Sequence, residues 1–152
     1  MRHIELGELL FNFEGRINRA KFWLALLISG IAQLVAGALI IASYASLGDF
    51  FALGAIAVFF LIVIPIVVSG FAVGIKRLHD RDKSGWWLLL FYVVPAILET
   101  IAQSIDDGGW PWAAGAAALT IWMIVELGCP RGTPGYNTYG RDPLEGAETP
   151  HA

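Results

Sequence analysis

The chain has 152 residues, of which 57% are hydrophobic and 15% are charged, and its formal net charge is −3. A soluble domain contains about 25% charged residues, so this chain has too few of them to surround an apolar core with a polar surface. The mean hydropathy of +0.64 agrees, and a single cysteine excludes a scaffold held by internal disulfides. The composition argues against a soluble enzyme and a disordered chain, and it indicates a protein that is embedded in a membrane.

The first 21 residues predict a short amphipathic lead on the cytoplasmic side of a membrane. Apolar residues recur in it at helical spacing, at Leu6, Leu9, Leu10, Phe13 and Ile17. We expect a short helix that lies in the inner interface, followed by Asn18 as the N-cap of the first span. The lead carries seven charges before any long apolar run, which disfavours a cleaved signal peptide.

Four apolar segments follow, and each predicts a transmembrane helix. Segments 22–47 and 50–75 each hold 26 residues without a charge, enough for a helix of about 39 Å across a hydrocarbon layer of ~30 Å. Segments 86–105 and 110–127 are shorter, and each contains one glutamate. None has the charged face of a soluble outer helix or the alternation of a membrane strand. We therefore predict an all-α integral membrane four-helix bundle made of two helical hairpins.

The basic residues predict the orientation of this bundle. All ten Lys and Arg residues lie before the first span, between the second and third, or after the fourth. The other two connections, 48–49 and 106–109, carry only acidic charges. The positive-inside rule then places both termini in the cytoplasm.

Residues 129–152 predict a cytoplasmic tail rich in glycine and proline. Tyr136, Asn137 and Tyr139 are unusual in a linker, so we expect part of the tail to fold back onto the cytoplasmic face. Beyond Glu145 we expect disorder.

Three polar clusters, at 11–23, 76–87 and 132–143, face the cytoplasm in this arrangement. The most specific is Arg77-Leu78-His79-Asp80 followed by Ser84-Gly85-Trp86-Trp87, and it is supported by Gly15-Arg16, Arg19 and Phe22-Trp23. In this order, around four apolar spans, the clusters resemble the bacterial inner-membrane family labelled domain of unknown function 805 (YhaH-like), over roughly residues 8 to 143. Lys76 departs mildly from the family, where an arginine is frequent. The resemblance implies a fold and an inner-membrane location, and it supplies no activity or catalytic residue.

The charged residues of these clusters form a candidate patch for lipid headgroups or a protein partner: Arg16, Arg19, Arg77, His79, Asp80, Arg81 and Lys83. Basic side chains at an inner interface attract anionic headgroups. Asp80 and Asp82 lie among them and are expected to neutralise part of this charge in Arg–Asp pairs. The alternative is a connection that only sets the topology, with Ser84 as the N-cap of the third span.

A second candidate site lies inside the membrane and consists of Glu99, Gln103 and Gln33. Glu99 stands 13 residues after Trp86, about 20 Å along a helix. An ionisable group at this depth is either part of a transport path or a hydrogen-bonding group that packs helices together. Glu126 is closer to the inner end, and we expect it to reach water or Arg131. Gly70 and Gly74 permit close helix approach, inside one bundle or between two copies.

Three classes of function remain open on these residues. We favour a non-enzymatic membrane protein that acts through lipid or protein interaction at its cytoplasmic face. The alternatives are an oligomeric transporter or channel subunit that uses Glu99, and a membrane enzyme that uses His79 with Asp80. No catalytic or zinc-binding motif is present in the sequence, so we expect no cofactor and no metal. The expected partners are the bilayer and a second copy or another membrane protein, without nucleic acid.

Overall fold

The computed structural model of the protein describes residues 6–47 and 52–145. Two predictions fall outside these ranges: the connection at 48–49 and the disorder beyond Glu145. Five helices make up the described fold: α1 (Leu6–Phe11), α2 (Arg19–Leu47), α3 (Ala52–Asp80), α4 (Trp87–Gln103) and α5 (Trp110–Gly128). Across these two ranges there is no β-strand, and one isolated bridge pairs Asn137 with Gly140. The predicted all-α class is confirmed.

Three of the helices are long and apolar enough to cross a membrane. The qualifying segments are Arg19–Ala42 in α2, Val58–Asp80 in α3 and Trp110–Gly128 in α5. Helix α4 is also apolar, but it has 17 residues and is therefore about 26 Å long, slightly less than the ~30 Å hydrocarbon layer. The described structure thus supplies three candidate spans and one shorter apolar helix where the sequence predicts four spans.

The start of α2 is fixed by the residue that precedes it. The Asn18 side-chain oxygen accepts a hydrogen bond from the backbone N–H of Lys21 at 3.0 Å, which satisfies one of the free N–H groups in the first turn. The predicted N-cap is confirmed, and the helix begins three residues before the predicted start of the span at 22.

The end of α3 lies five residues beyond the predicted end of the second span at 75. A cluster of charges usually indicates a loop in water, but Lys76, Arg77 and Asp80 are buried here. Their side chains have hydrogen-bond partners inside the protein. The helix can therefore continue through charged residues, because the cost of burying them is offset by these bonds.

The start of α4 differs from the prediction in one detail. The Ser84 hydroxyl accepts a long hydrogen bond of 3.4 Å from the Trp86 N–H, but the N-cap position belongs to Trp86, which makes no side-chain cap bond. A backbone turn, in which the Trp87 N–H donates to the Ser84 carbonyl at 3.3 Å, leads into the helix instead. The prediction of Ser84 as the N-cap is therefore wrong by two residues.

The long helices pack as two hairpins, α2 along α3 and α4 along α5. The hairpins meet where α2 and α4 begin and where α3 and α5 end, and α1 packs against α3 and α2 there. We call this the motif end; it comprises residues 12–19, 80–87 and 128–145 together with the helix turns next to them. The buried core cluster is at the same end: Leu9, Ile17, Phe22, Ala25, Val73, Leu78, Leu88, Phe91 and Leu127.

Away from the motif end the helices expose apolar surface. Leu34, Ile41 and Leu61 are each about three-quarters exposed (76%, 72% and 75%). Such surface is costly in water and favourable in hydrocarbon. The fold is therefore tightly packed at one end and presents apolar side chains to its surroundings along the helices.

Candidate functional site

Asp80, the last residue of α3, is held between two arginines. Its Oδ1 lies 3.1 Å from Arg16 Nη2, and its Oδ2 accepts a short hydrogen bond from Arg77 Nη1. The three side chains are at most 3% exposed. A buried carboxylate needs this compensation, because its water has been removed. We call Arg16, Asp80 and Arg77 the Arg–Asp–Arg triad.

Arg16 also binds the tail. Its Nη1 donates to the carbonyl oxygens of Gly135 at 2.8 Å and Gly140 at 3.0 Å, and its Nη2 donates to the carbonyl of Thr133 at 2.5 Å. Arg16 follows α1 in the chain, whereas these carbonyls follow α5. One side chain therefore joins the lead to the tail.

Arg77 makes the corresponding contacts with the end of α5. Its Nε donates to the Leu127 carbonyl at 2.6 Å, and its Nη2 donates to the Pro130 carbonyl. The last carbonyls of a helix have no partner within the helix, and a cation at this position also matches the negative end of the helix dipole. Arg77 thus caps α5 and holds Asp80 with the same guanidinium.

The tail folds back onto the end of α3 through backbone and side-chain hydrogen bonds. The Thr133 N–H donates to the Asp80 carbonyl at 2.8 Å, and Asn137 Nδ2 donates to the His79 carbonyl at 2.9 Å. A Cβ atom on Gly132 would lie 2.0 Å from Asp80 Oδ2, so only glycine fits there. The described part of the tail is an ordered component of the motif end.

His79 stacks on Tyr139, with ring centroids 3.8 Å apart and planes inclined by 5°. Its Nδ1 lies 3.3 Å from the Gly15 carbonyl oxygen. The Asp80 carboxylate contacts the two arginines instead, so the structure does not bring His79 and Asp80 together as a proton-transfer pair. Over residues 6–47 and 52–145, no three His, Cys, Asp or Glu side chains are close enough to hold a metal ion.

Arg81 and Lys83 share Glu126 as their partner. Lys83 Nζ lies 2.5 Å and Arg81 Nη2 3.3 Å from Glu126 Oε1. The sequence predicts that Glu126 reaches water or Arg131, and the observed ion pairs correct that expectation. Glu126 lies near the end of α5, where the connection between α3 and α4 is within reach of its carboxylate.

Lys76 is a structural residue that sequence reasoning misses. Its Nζ donates to the carbonyl oxygens of Glu8 at 2.8 Å and Leu9 at 2.6 Å, in the last turn of α1. This buried ammonium attaches α1 to α3 and caps the C-terminal end of α1. The one signal in the sequence is that Lys76 stands next to Arg77 in the most specific cluster.

A cavity of about 210 Å³ opens beside the triad, at the N-terminus of α2. It is lined by two exposed arginines and five other residues: Arg19, Arg131, Asn18, Asp80, Gly132, Asp142 and Leu144. The Asp142 oxygens accept hydrogen bonds from the backbone N–H groups of Gly135 and Leu144. Both carboxylates in the wall are thus engaged within the protein, and the two arginines give the cavity its cationic side.

The intramembrane candidates lie on the outside of the fold. Glu99, Gln103 and Gln33 are all exposed. Helices α2 and α4 do not contact each other over their described residues, so the structure does not bring Gln33 next to Glu99. Within residues 6–47 and 52–145, the three side chains are not enclosed in an interior.

Residues 10–141 match the family described as "Protein of unknown function (DUF805)". The chain belongs to this family. The match includes the whole Arg–Asp–Arg triad and the tail as far as Arg141, so the DUF805 region covers both sides of the motif end.

Three Escherichia coli K12 proteins are similar to this DUF805 chain over most of their length. The uncharacterized protein YiiR is 37% identical over 138 residues, which are 88% of this chain and 86% of YiiR. The inner membrane protein YhaH is 32% identical over 86% of each chain. The inner membrane protein YhaI is 33% identical over 89% of this chain and 88% of YhaI. No solved structure matches. With its three candidate spans, this DUF805 chain is a membrane protein.

Proposed function

We propose that this DUF805 protein is a four-span inner-membrane protein with both termini in the cytoplasm, and that it binds anionic lipid headgroups at the motif end without catalysing a reaction. The observation that carries the proposal is the cavity beside the triad, which has Arg19 and Arg131 among its lining residues. A phosphate group between two guanidinium groups is a common form of recognition, because each arginine can donate two parallel hydrogen bonds.

The topology rests on charge and on helix packing. All ten basic residues fall on one side if all four apolar helices cross. Helix α4 packs along α5, and the two are joined at 104–109. Because α5 is long enough to cross, a neighbour that packs along it crosses the same layer. A helix of 17 residues does so with slight thinning of the bilayer or with flanking residues at the interface.

The other basic residues of the candidate patch have partners within the protein. Arg16 and Arg77 are buried with Asp80, and Arg81 and Lys83 are paired with Glu126. The candidate patch predicted from the sequence therefore contains a buried part, formed by the triad, and a partly exposed part, formed by Arg81 and Lys83 with Glu126. Trp86, which is 77% exposed at the start of α4, marks the level of the headgroups, where tryptophan is enriched.

Lipid dependence of stability tests this proposal. The purified full-length protein is placed in nanodiscs of phosphatidylcholine with or without phosphatidylglycerol, and its melting temperature is measured by circular dichroism. We expect phosphatidylglycerol to raise the melting temperature of the wild type, because a ligand that binds the folded state stabilises it. Arg19→Gln should lose most of this increase. Arg141→Gln removes the same charge from an exposed residue that does not line the cavity, and it should retain most of it.

Two results would count against headgroup binding. Equal losses in Arg19→Gln and Arg141→Gln would show general attraction without a site, and no increase in the wild type would favour a protein partner.

The topology has its own test, in which a fluorescent or a phosphatase reporter follows residue 152. With the C-terminus in the cytoplasm, we expect the fluorescent fusion to fluoresce and the phosphatase fusion to be inactive. An active phosphatase with a dark fluorescent fusion would overturn the proposed orientation.

A transporter that uses Glu99 has less support. Ionisable groups on a transport path face a bundle interior or a water-filled cavity, whereas Glu99 is exposed on the surface of this chain. A pH-gradient-driven flux in proteoliposomes that disappears in Glu99→Gln would favour the transporter over the proposal made here.

A further inference from the structure

A second cavity lies between the four long helices, on the membrane side of the motif end. Its volume is about 230 Å³, and each of the four apolar helices contributes to its wall, with Leu26 of α2, Ser69 and Val73 of α3, Tyr92 of α4, and Met123 and Leu127 of α5 among the lining residues. No charged side chain takes part. An apolar cavity of ~150 Å³ is already large enough to stay dry and to bind a molecule such as benzene.

A fully buried hydroxyl in this wall lacks a partner among the described residues. Ser69 is 3% exposed, and its Oγ makes no hydrogen bond with any of the residues that the structure describes. Serine hydroxyls in helices commonly bond to the carbonyl one turn earlier, as Thr120 does with Ala116 at 2.9 Å. A buried hydroxyl without a partner costs free energy. Its position in the wall of a cavity indicates that the partner is a bound molecule.

The cavity is accessible from the side of the bundle. Leu26, Tyr92 and Ile124 line it and are each about 40% exposed (40%, 40% and 41%), so three of its lining residues also reach the outer surface of the helices. Ser69 lies 11 residues before Asp80, about 16 Å along α3 from its end. A molecule that enters here therefore comes from the hydrocarbon layer.

The geometry points to a lipid-soluble ligand that has a hydrocarbon body and one uncharged hydroxyl or carbonyl group, which bonds to Ser69 Oγ. Such a ligand buries its apolar part against Val73, Met123 and Leu127. An ionised headgroup would remain without a counter-charge there, and burying it would be costly. Apart from the hydroxyl groups of Ser29, Ser69 and Tyr92, the wall is apolar, which favours the hydrocarbon body of such a ligand. This site is separate from the arginine-lined cavity, and the inference does not depend on headgroup binding.

Photolabelling of the full-length protein in detergent tests the inference. The probe is a 1-decanol analogue with a diazirine in mid-chain, and the labelled residues are mapped by mass spectrometry. We expect saturable labelling of Val73, Met123 and Ile124 that unlabelled 1-decanol suppresses. Ser69→Ala should raise the half-saturating concentration of the probe about two- to tenfold, because the ligand loses one hydrogen bond. Thr120→Val, which removes a hydroxyl that already has a partner, should leave it unchanged.

Ser69→Leu provides a second arm, because its larger side chain fills the cavity. We expect it to abolish saturable labelling while the far-UV circular dichroism spectrum stays that of the wild type. If Ser69→Leu does not fold, the comparison of Ser69→Ala with Thr120→Val decides by itself. Labelling that does not saturate, that spreads over all exposed helix faces, or that is equally strong in wild type and Ser69→Ala would overturn the inference.

Discussion

Arg16 and Asp80 form a buried ion pair across 64 residues of sequence, with Arg16 Nη2 3.1 Å from Asp80 Oδ1. The pair connects the segment before α2 to the last residue of α3. Both side chains are at most 3% exposed, so neither can exchange its partner for water. Removing one member leaves the other charge buried without full compensation.

The first prediction concerns this pair. Arg16→Ala should lower the free energy of unfolding by about 3–5 kcal/mol, the range measured for breaking buried pairs. The measurement is equilibrium unfolding in mixed micelles titrated with sodium dodecyl sulfate, followed by circular dichroism. Lys21→Ala, at a partly exposed position near the start of α2, is the control and should change stability by about 0.5 kcal/mol or less. Equal effects of the two substitutions would contradict a structural role for the triad.

The ion pairs of Glu126 should contribute far less. The Lys83 and Glu126 side chains are 33% and 15% exposed, so water screens their attraction. Glu126→Gln should therefore cost about 1 kcal/mol or less in the same unfolding experiment. Added salt should reduce the difference between Glu126→Gln and the wild type. A cost as large as that of Arg16→Ala would show that this pair is buried in the membrane-embedded protein.

Gly132→Ala should release the tail. The new methyl group would overlap the Asp80 carboxylate, and the backbone next to the triad would have to move away. Limited trypsin digestion should then cut after Arg131 or Arg141 much faster than in the wild type, as judged by the mass of the fragments. Gly30→Ala is the matched control, because a Cβ there meets no atom within 4 Å. Identical digestion of the two variants would exclude the close contact at Gly132.

Lys76→Met should free α1 from the end of α3. The variant keeps much of the apolar side chain and loses the hydrogen bonds to the Glu8 and Leu9 carbonyls. Hydrogen exchange measured by mass spectrometry should become faster in residues 6–11, with little change in α5. Lys76→Arg keeps a donor at this position and should stay close to the wild type. Unchanged exchange in Lys76→Met would show that packing around Leu9 alone holds α1 in place.

Composition and spacing were sufficient for the class of this fold and for some of its details. Charge-free runs longer than 20 residues indicate helices in lipid. The N-cap at Asn18 was also predictable, because its hydrogen bond joins residues only three positions apart. The end of α3 was not predictable in the same way. Lys76, Arg77 and Asp80 have the composition of an exposed loop, and only their distant partners make them compatible with a buried helix.

The candidate site shows the same limit. The sequence predicted Arg–Asp pairing inside the second polar cluster, and Arg77 and Asp80 do pair there. The sequence did not indicate that Arg16 completes the triad, because a contact between residues 64 positions apart produces no recognisable spacing pattern. The Arg81 and Lys83 partners of Glu126 were missed for a related reason, since they are 45 and 43 residues away from it in the sequence.

The contacts of Arg16 also set an order of events during biosynthesis. Three of its acceptors are the carbonyl oxygens of Thr133, Gly135 and Gly140, which the ribosome adds after all five helices. The guanidinium is therefore synthesised before these three acceptors and lacks them until the tail follows. A chain that stops at Gly128 would keep every apolar helix and lack these acceptors, so it would insert into the bilayer but could not close the motif end. Such a truncated product would leave the Arg16 guanidinium without these three hydrogen bonds, so closure of the motif end depends on the tail.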